Sequence, residues 1–467
     1  MKATRSLLWF KNDLRLLDNE TLTKALHESD SILPIYIFDP RHWQDTPYGF
    51  KKAGYKRFLF LAATLQNLQA NITALGGKLY IQVGLPEEIL PRLVEEYGIE
   101  RIYTEEAYAS EEIQVLQQVQ QAIPKNVELI QVWGKTLYHK ADLPYAIEDI
   151  PKTSKAFRIN TTKKAGVRKM YEVPQQIRVI EAELPTDLPT PEALGLERDK
   201  KVTPYLPGGE DAALERLAYY TFETELLTSY KWTRNRSLGM DFSSKLSAYF
   251  ALGALSPRTV YWKVKDYEQQ VKKNISTWWL VFEVVWRDFF TFKGMRMGSA
   301  IFTTQGYTKR TLEFENNTTY FKRWCEGQTG IPFIDAHMRQ LNHTGFMSNR
   351  GRVNCSSYLI HDLKIDWTWG AAYFESHLID YDVSANWMNW HVQAYEIWYT
   401  NPVNQSLKYK AKEFIQTYIP ELAPVEDELI YIPWEMDPPP ADYPSPIAVY
   451  SKWTRAINKI KTAAGVE

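Results

Sequence analysis

The sequence predicts an α/β domain built on a doubly wound parallel sheet, then a long connector, then an all-helical domain. In residues 1–135, apolar strand-like runs alternate with amphipathic helical patterns, which is typical of a parallel sheet. Prolines recur through 136–207 and indicate an irregular connector, whereas helical periods dominate from 208 to 467. A chain of 467 residues also exceeds what one hydrophobic core usually serves.

Five runs in the first part have the length and composition of strands: Ser6–Phe10, Ile32–Phe38, Lys78–Val83, Arg101–Thr104 and Glu128–Val132. Four segments between them have helical periodicity: Asn19–Glu28, Tyr55–Leu75, Pro86–Tyr97 and Glu111–Ile123. In such sheets, ligands bind beyond the carboxyl ends of the strands. Residues 9–15, Trp-Phe-Lys-Asn-Asp-Leu-Arg, stand where a G-x-G-x-x-G would follow the first strand, which argues against an NAD-type site.

The connector carries seven basic residues between Lys152 and Lys169, a pattern more typical of a solvated face than of a binding surface. Beyond it, seven segments fit helical periods: Asp211–Glu225, Pro257–Gln270, Trp278–Lys293, Thr319–Glu326, Pro332–Asn342, Arg352–Asp362 and Gly370–Asp380. Pro402 and the prolines at 438–440 then break the pattern.

Composition excludes several classes of protein. With 55 basic and 56 acidic residues there is no global nucleic-acid signature, although a local basic groove is compatible with these numbers. Two cysteines, Cys325 and Cys355, build neither a metal site nor a disulfide framework, and the eight histidines show no metal spacing. No apolar stretch approaches a membrane span or a signal-peptide core, so we expect a cytoplasmic protein that binds no metal.

Aromatic residues are abundant, with 16 Trp, 29 Tyr and 20 Phe. A large core accounts for most of them, and a π-rich pocket or an electron-hopping chain would account for a surplus. Composition alone does not choose between these interpretations.

One group of polar residues stands near the ends of two predicted helices: Asn349, Arg352, Asp380, Asp382 and Asn386. Singly, each is most simply a helix cap or half of a salt bridge. Together, and close in sequence to Trp390, they form a polar clamp beside an aromatic wall. Flavins need such a clamp, because hydrogen bonds to the ring edge and a suitable group at N5 tune their chemistry.

Several motifs resemble the photolyase/cryptochrome family. The runs that carry the resemblance, in the family's order, are 9–15, 133–139, 243–247, 283–288, 329–341, 344–352, 366–367 and 378–382. The run 329–341, Thr-Gly-Ile-Pro-Phe-Ile-Asp-Ala-His-Met-Arg-Gln-Leu, is similar to a family hallmark. The Ser-Asn-Arg-Gly-Arg of 348–352 is most similar to the DASH cryptochrome branch.

This resemblance implies a 1–135 antenna domain and a 208–467 FAD-binding domain. It assigns the FAD phosphates and ribose to Tyr230, Ser243, Ser244, Lys245, Leu246 and Ser247. It places Arg287, Asn349, Arg352, Asp380 and Asp382 around the isoalloxazine, with Arg352 paired to Asp380. Asn386 would face flavin N5, where an amide can donate or accept a hydrogen bond.

The resemblance also implies a catalytic group for a cyclobutane pyrimidine dimer flipped out of DNA, consisting of Glu283, Trp286 and Asn349. Trp286 would stack against the dimer, and Glu283 would hydrogen-bond a base edge. Repair enzymes for the other major photolesion place a histidine where this chain has Asn349, which favours cyclobutane dimers.

The family's electron route is a chain of three tryptophans, of which Trp390 and Trp367 match the proximal and middle members. Phe314 stands at the distal position and is much harder to oxidise than tryptophan. The aromatic residues that would take its place are Trp369, Tyr320 and Trp324.

The resemblance also implies that two substitutions alter the cavity above the flavin. Val392 stands two residues after the proximal Trp390, where repair enzymes have Trp and DASH proteins Tyr, and Val353 stands where DASH members usually have Gln. The loop from Gln393 to Pro402 looks shorter than in relatives.

Three functions therefore remain open: a light-driven lyase that repairs single-stranded or locally opened DNA, a blue-light photoreceptor, and a helical nucleotide-binding protein without photochemistry. The retained Glu283, Trp286 and Asn349 favour the deoxyribodipyrimidine photolyase, whereas Val353 and Val392 favour the photoreceptor. A folate antenna is a further expectation, with Glu111 and Glu148 as candidate contacts. We expect a monomer.

Overall fold

The computed structural model describes residues 4–199, 202–308, 310–396 and 399–466. Its N-terminal part is a five-stranded sheet, all parallel, in the order β3-β2-β1-β4-β5. The strands are β1 (Arg5–Phe10), β2 (Ser31–Phe38), β3 (Tyr80–Val83), β4 (Arg101–Glu105) and β5 (Glu128–Val132). The helices between them are α1 (Glu20–His27), α2 (Tyr55–Ala74), α3 (Pro86–Tyr97) and α4 (Ser110–Ala122). The predicted doubly wound sheet is confirmed.

The strand order reverses beside β1, whose neighbours are β2 and β4. A crevice at the carboxyl ends of the strands opens at such a reversal. Both faces of β1 are covered, since Leu7, Leu8 and Phe10 are fully buried and Trp9 nearly so. Continuous apolar runs of this kind are what a sheet covered on two faces requires.

The connector is more ordered than the sequence predicts. It contains the helix α5 (Ser154–Lys164), which begins where the Thr153 hydroxyl accepts a hydrogen bond from the Ala156 N–H. Farther on, Val179 forms a parallel bridge with Ile32, and the Ile81 N–H donates to the Pro185 carbonyl. The connector thus covers an otherwise open edge of the sheet.

The rest of the chain is helical, as predicted. Its helices are α6 (Glu210–Ala218), α7 (Tyr230–Thr233), α8 (Ser247–Ala251), α9 (Pro257–Gln270), α10 (Ile275–Met297), α11 (Thr318–Glu326), α12 (Pro332–Thr344), α13 (Asn349–Ser357), α14 (Trp367–His377), α15 (Val383–Tyr395), α16 (Pro402–Lys408), α17 (Lys412–Tyr418) and α18 (Thr454–Ala464).

The helices differ from the predictions in several places. The expected Gly370–Asp380 helix begins earlier, at Trp367, and ends at His377, so Asp380 lies in a turn. Asp382 caps the start of α15, a helix that the sequence analysis missed. The predicted Asp211–Glu225 helix keeps its α form only to Ala218 and continues as one wider turn.

Buried polar contacts join the sheet to the helices. The Asp288 carboxylate of α10 accepts hydrogen bonds from the Leu137 and Tyr138 N–H groups at 3.0 and 2.9 Å. Gly253 has φ +65°, and a Cβ there would lie 1.8 Å from the Asn12 carbonyl oxygen. Only glycine permits this close approach, which brings the loop after β1 against the helical part.

Candidate functional site

Arg352 and Asp380 form the ion pair that the sequence predicts. One guanidinium nitrogen of Arg352 lies 2.9 and 2.7 Å from the two Asp380 oxygens, and Nε donates to the Met347 carbonyl at 3.0 Å. Ser348 caps α13, which places Arg352 in the first turn of that helix. The three contacts fix the guanidinium, so its remaining donors have a defined direction.

Asp382 lies at the centre of a second charged group. Its carboxylate caps α15 through the Ala385 N–H at 3.0 Å and lies 3.3 Å from a guanidinium nitrogen of Arg287. Burial raises the pKa of Asp382, but attraction to Arg287 and Lys135 and the Ala385 hydrogen bond outweigh it and leave the pKa below its usual value. Asp382 is therefore a carboxylate at neutral pH.

Asn386 is buried one turn into α15, and its amide nitrogen donates to the Ala371 carbonyl of α14 at 2.9 Å. That contact fixes the orientation of the amide, which still has an acceptor oxygen and a second N–H to offer a ligand. The structure therefore keeps both possibilities, donor and acceptor, that the sequence left open.

The Arg216 side chain anchors the loop at 243–247 through hydrogen bonds. This guanidinium donates to the carbonyls of Ser243 and Ser244, both at 3.1 Å, and pairs with Asp241 at 3.0 Å. Arg216 was missed from the sequence, because nothing in its helical pattern distinguishes a loop brace from a surface charge.

The surroundings of the Lys245 side chain indicate that this loop suits an anionic ligand. Its side chain is buried, and within the described residues its ammonium has no hydrogen-bond partner. Burial, then repulsion by Arg216, lowers its pKa to about 6. The ammonium lies over the Phe242 and Phe346 rings, 3.3 and 4.3 Å from their centroids. A buried cation that makes no hydrogen bond among the described residues fits a phosphate group.

Of the three residues predicted to contact a base, the structure brings Glu283 and Trp286 together on α10 but not Asn349. The Glu283 carboxylate lies 2.7 Å from an Arg234 guanidinium nitrogen and accepts from the Trp279 indole at 3.0 Å. Burial raises the pKa of Glu283 against the lowering effect of Arg234. Tyr230 is buried close enough for the Glu283 charge to raise its pKa further, after burial itself.

Trp286 lies one turn after Glu283 on α10, with its ring 5.8 Å from Phe282 and 5.8 Å from Phe290. Asn349 is exposed at the start of α13, and the polar contacts of Glu283 in the described structure go to Trp279 and Arg234 instead. Its place beside a substrate therefore stays a prediction.

Trp390 and Trp367 lie on the neighbouring helices α15 and α14, and both are buried. Trp390 packs edge-on against Phe374 and Trp324, with ring centroids 5.0 and 6.1 Å apart. Gly370, one turn after Trp367, makes room for the Trp390 ring, since a Cβ there would lie 2.2 Å from it.

Two regions of the chain match known protein families. Residues 6–176 match the family described as DNA photolyase, and residues 279–462 match the FAD binding domain of DNA photolyase. Proteins named Cryptochrome DASH from Gloeobacter violaceus and Natronomonas pharaonis are each 38% identical to this chain, with 99% and 95% of it aligned to 97% of theirs.

The chain belongs to the photolyase/cryptochrome family. Among solved structures, the Synechocystis sp. PCC6803 cryptochrome is 38% identical, with a TM-score of 0.91 over 98% of this chain and 100% of that one. An archaeal photolyase from Sulfolobus tokodaii, described with two FAD molecules, is 26% identical, with a TM-score of 0.80 over 98% and 99% of the two chains. The predicted resemblance to the DASH branch is confirmed, and so is the FAD-binding domain.

The structure also contains a cavity that the sequence did not locate. It measures about 370 Å³ and lies at the carboxyl ends of β1 and β2, against the turn before α15. Its polar lining includes Asn12, Arg41, His42, Tyr108, Lys135 and Glu375. The strand order indicated such a crevice, but the helical wall around Glu375 could not be foreseen from local pattern.

Of the two residues expected to contact an antenna, Glu111 lines this cavity and pairs with Lys52 at 2.5 Å. Glu148 is not among the residues that line it and lies in a short helical turn of the connector. In the part of the chain that the structure describes, no helix is long and apolar enough to cross a membrane.

Proposed function

We propose that this chain is a light-driven, FAD-dependent lyase that repairs cyclobutane pyrimidine dimers in single-stranded DNA. The observation that carries the proposal is the position of Glu283, held by Arg234 and Trp279 one turn before Trp286 on α10. A carboxylate fixed beside an aromatic ring combines what a flipped pyrimidine pair requires, a hydrogen-bond acceptor and a stacking surface.

The site offers FAD a matched set of contacts. Lys245 and the serines at 243 and 244 would hold the phosphates, and Arg352 and Arg287, each fixed by an aspartate, would line the ring. The Asn386 oxygen would accept a hydrogen bond from a protonated N5. FAD, when bound, absorbs blue light and supplies an electron to the dimer, which returns once the bonds have split.

In this proposal Glu283 holds the dimer by accepting a hydrogen bond from a base edge. Arg234 keeps the carboxylate oriented and charged, while Trp286 covers the apolar face of the dimer. The buried residues Trp390 and Trp367 have a separate role, since they would supply the electron that photoreduces oxidised FAD, with Phe314 too hard to oxidise to serve as the last donor.

A second candidate function is blue-light sensing without repair. Val353 follows Arg352 and Val392 lies two residues after Trp390, so both substitutions lie on the two helices that carry the proposed flavin contacts. Apolar side chains there would remove hydrogen-bonding groups from the cavity that a dimer enters. This candidate requires the photochemistry of Trp390 and Trp367 without turnover of DNA.

We also propose that the 370 Å³ cavity holds an antenna chromophore. Its polar wall and its place between the sheet and the flavin contacts at Asp382 support this role, and Glu111 would be the contact for a folate. Mixing the purified protein with a methenyl-folate should produce an added near-ultraviolet absorbance band, and Glu111→Ala should weaken that binding.

The test of repair is illumination of the reduced protein with dimer-containing oligonucleotides, single-stranded and duplex. Loss of dimer in the single strand supports the lyase. Flavin photoreduction without any loss of dimer supports the photoreceptor instead.

A further inference from the structure

The aromatic residues of α10 do not stop at the proposed dimer site. Trp278, Phe282 and Trp286 stand four residues apart along the helix, with ring centroids separated by 5.2 and then 5.8 Å. Trp278, at the outer end of this aromatic ladder, is 41% exposed. With the half-buried rings of Phe282 and Trp286 it forms one continuous aromatic surface, and a continuous apolar surface that reaches solvent marks a place where something binds.

A further exposed ring lies beside the ladder. Trp232 on α7 is 69% exposed, and the Lys231 ammonium lies over both Trp232 and Trp279, 4.7 and 5.0 Å from the ring centroids. Trp279 donates to Glu283, so this second aromatic group also leads to the proposed dimer site.

A basic residue of the connector, Arg158, packs on the ladder. The Arg158 guanidinium lies over Trp278 and Phe282, 5.5 and 5.4 Å from their centroids, and its Nε is buried without a hydrogen-bond partner among the described residues. The helix α5 that carries it has no acidic residue and also contains the exposed Lys155, Lys163 and Lys164. For a chain with net charge −1, this is a local concentration of positive charge.

A purely structural role explains part of this arrangement. Arg158 stacked on Trp278 could simply hold α5 against α10. It does not explain why Trp232 stays exposed, or why neither Arg158 nor Lys231 has an acidic partner in the described part of the chain. A bound ligand that combines negative charges with flat apolar rings accounts for both facts.

We propose that the ladder is a path for single-stranded DNA, on which bases flanking the lesion stack on Trp278 and Trp232 while their phosphates contact Arg158 and Lys231. Stacked aromatic rings beside a positively charged track are the general means of binding single strands. In a duplex the base faces are already covered by their neighbours, so exposed rings favour single strands. The inference rests on the proposed function and extends it from the lesion to the flanking nucleotides.

The ladder is tested in the dark with an undamaged, fluorescein-labelled twelve-residue oligothymidylate, by fluorescence anisotropy. Since stacking contributes roughly 1–3 kcal/mol per base, Trp278→Ala and Trp232→Ala should each weaken binding by about fivefold or more. Trp278→Phe, which keeps a ring, should restore most of the affinity. Arg158→Gln should lower the slope of log affinity against log salt by about 0.7, the value for one phosphate of a single strand.

Lys459→Gln, which removes an exposed cation on α18, is the matched charge control and should leave both affinity and salt slope unchanged. Wild-type affinity in both Trp278→Ala and Trp232→Ala, with flavin content and circular dichroism intact, would overturn the inference. So would a salt slope that Arg158→Gln leaves unaltered.

Repair of a dimer in an isolated dinucleotide distinguishes failure of this inference from failure of the proposed function. Such a substrate is too short to reach Trp278, so Trp278→Ala should repair it at the wild-type rate while binding the oligothymidylate weakly. If the wild type binds the oligothymidylate through the ladder but repairs no dinucleotide dimer, the lyase proposal fails and the ladder stands.

Discussion

Arg352 and Asp380 meet through a single guanidinium nitrogen, 2.9 and 2.7 Å from the two carboxylate oxygens, although 28 residues separate them in the chain. Asp380 is 7% exposed, so loss of Arg352 would leave a buried carboxylate without its ion-pair partner. The pair joins the start of α13 to the turn before α15. Both elements carry further proposed flavin contacts, so a change in the pair should act on FAD binding.

Asp380→Asn should therefore reduce FAD binding while the protein still folds. Loss of a charge-assisted hydrogen bond costs about 1.5–3 kcal/mol, which corresponds to about 10- to 100-fold in affinity. Glu421→Gln is the control, because it breaks a comparable pair with Arg339 at 2.8 Å in the same domain. The FAD-to-protein ratio of the purified variants measures the effect, and equal ratios for both would contradict the proposed site.

The electron route predicts a different phenotype. Trp390→Phe should bind FAD normally but photoreduce it far more slowly, because phenylalanine does not give up an electron at the required potential. Phe314→Trp should photoreduce faster than the wild type by supplying the missing distal tryptophan. Flavin absorbance under continuous blue light, with an external thiol present, follows both changes.

Trp453→Phe is the control for this series, since Trp453 is fully buried and packs with Tyr450 and Tyr358 away from Trp390. If Trp390→Phe photoreduces as fast as the wild type, the assigned route is wrong.

Glu283 should matter for repair and little for the cofactor. Glu283→Gln removes the charge that Arg234 pairs with and weakens the proposed hydrogen bond to the base, so we expect repair about 10-fold slower or more. Glu268→Gln on α9 is the control, because Glu268 accepts from Lys265 and from Thr277 at the start of α10 and has no place in the site. A repair rate in Glu283→Gln equal to that of Glu268→Gln would remove Glu283 from the mechanism.

His337 gives the fold a dependence on pH. Burial lowers its pKa to about 4, although its hydrogen bond to the Phe333 carbonyl at 2.7 Å acts in the opposite direction. Below its unfolded value of about 6.5 only the unfolded chain takes up the proton, so this contribution to stability is complete above pH 6.5 and is lost as pH falls toward 4.

His337→Gln should remove that dependence. Between pH 6.5 and 5 the free energy of unfolding of the wild type should fall by about 1–2 kcal/mol more than that of the variant. Urea denaturation at the two pH values measures the difference. Parallel decreases in the two proteins would show that His337 titrates normally.

Much of this architecture could be predicted because its causes are local. The buried strand runs around Leu7 and Ile35 and the helix start at Pro86 are set by neighbouring residues in the sequence. The pairing of Arg352 with Asp380 could be predicted only through resemblance, since nothing local joins two residues 28 apart.

Other features depend on tertiary contacts that no local pattern encodes. The α15 helix was missed because its polar residues, such as Asn386 and His391, are buried against neighbouring helices and so obscure its amphipathic period. Arg216 could not be told from a surface charge until the 243–247 loop was seen against it. The interdomain cavity depends on how two separately predicted parts pack.

The most direct test is repair itself. The protein, with its FAD reduced, should be illuminated with blue light in the presence of a single-stranded oligothymidylate that contains one cyclobutane dimer, beside a dark sample and a Glu283→Gln sample. Thymine absorbance should recover in the illuminated wild type, recover little in Glu283→Gln and stay unchanged in the dark. No recovery in an illuminated wild type that holds a full complement of reduced FAD would contradict the proposed function.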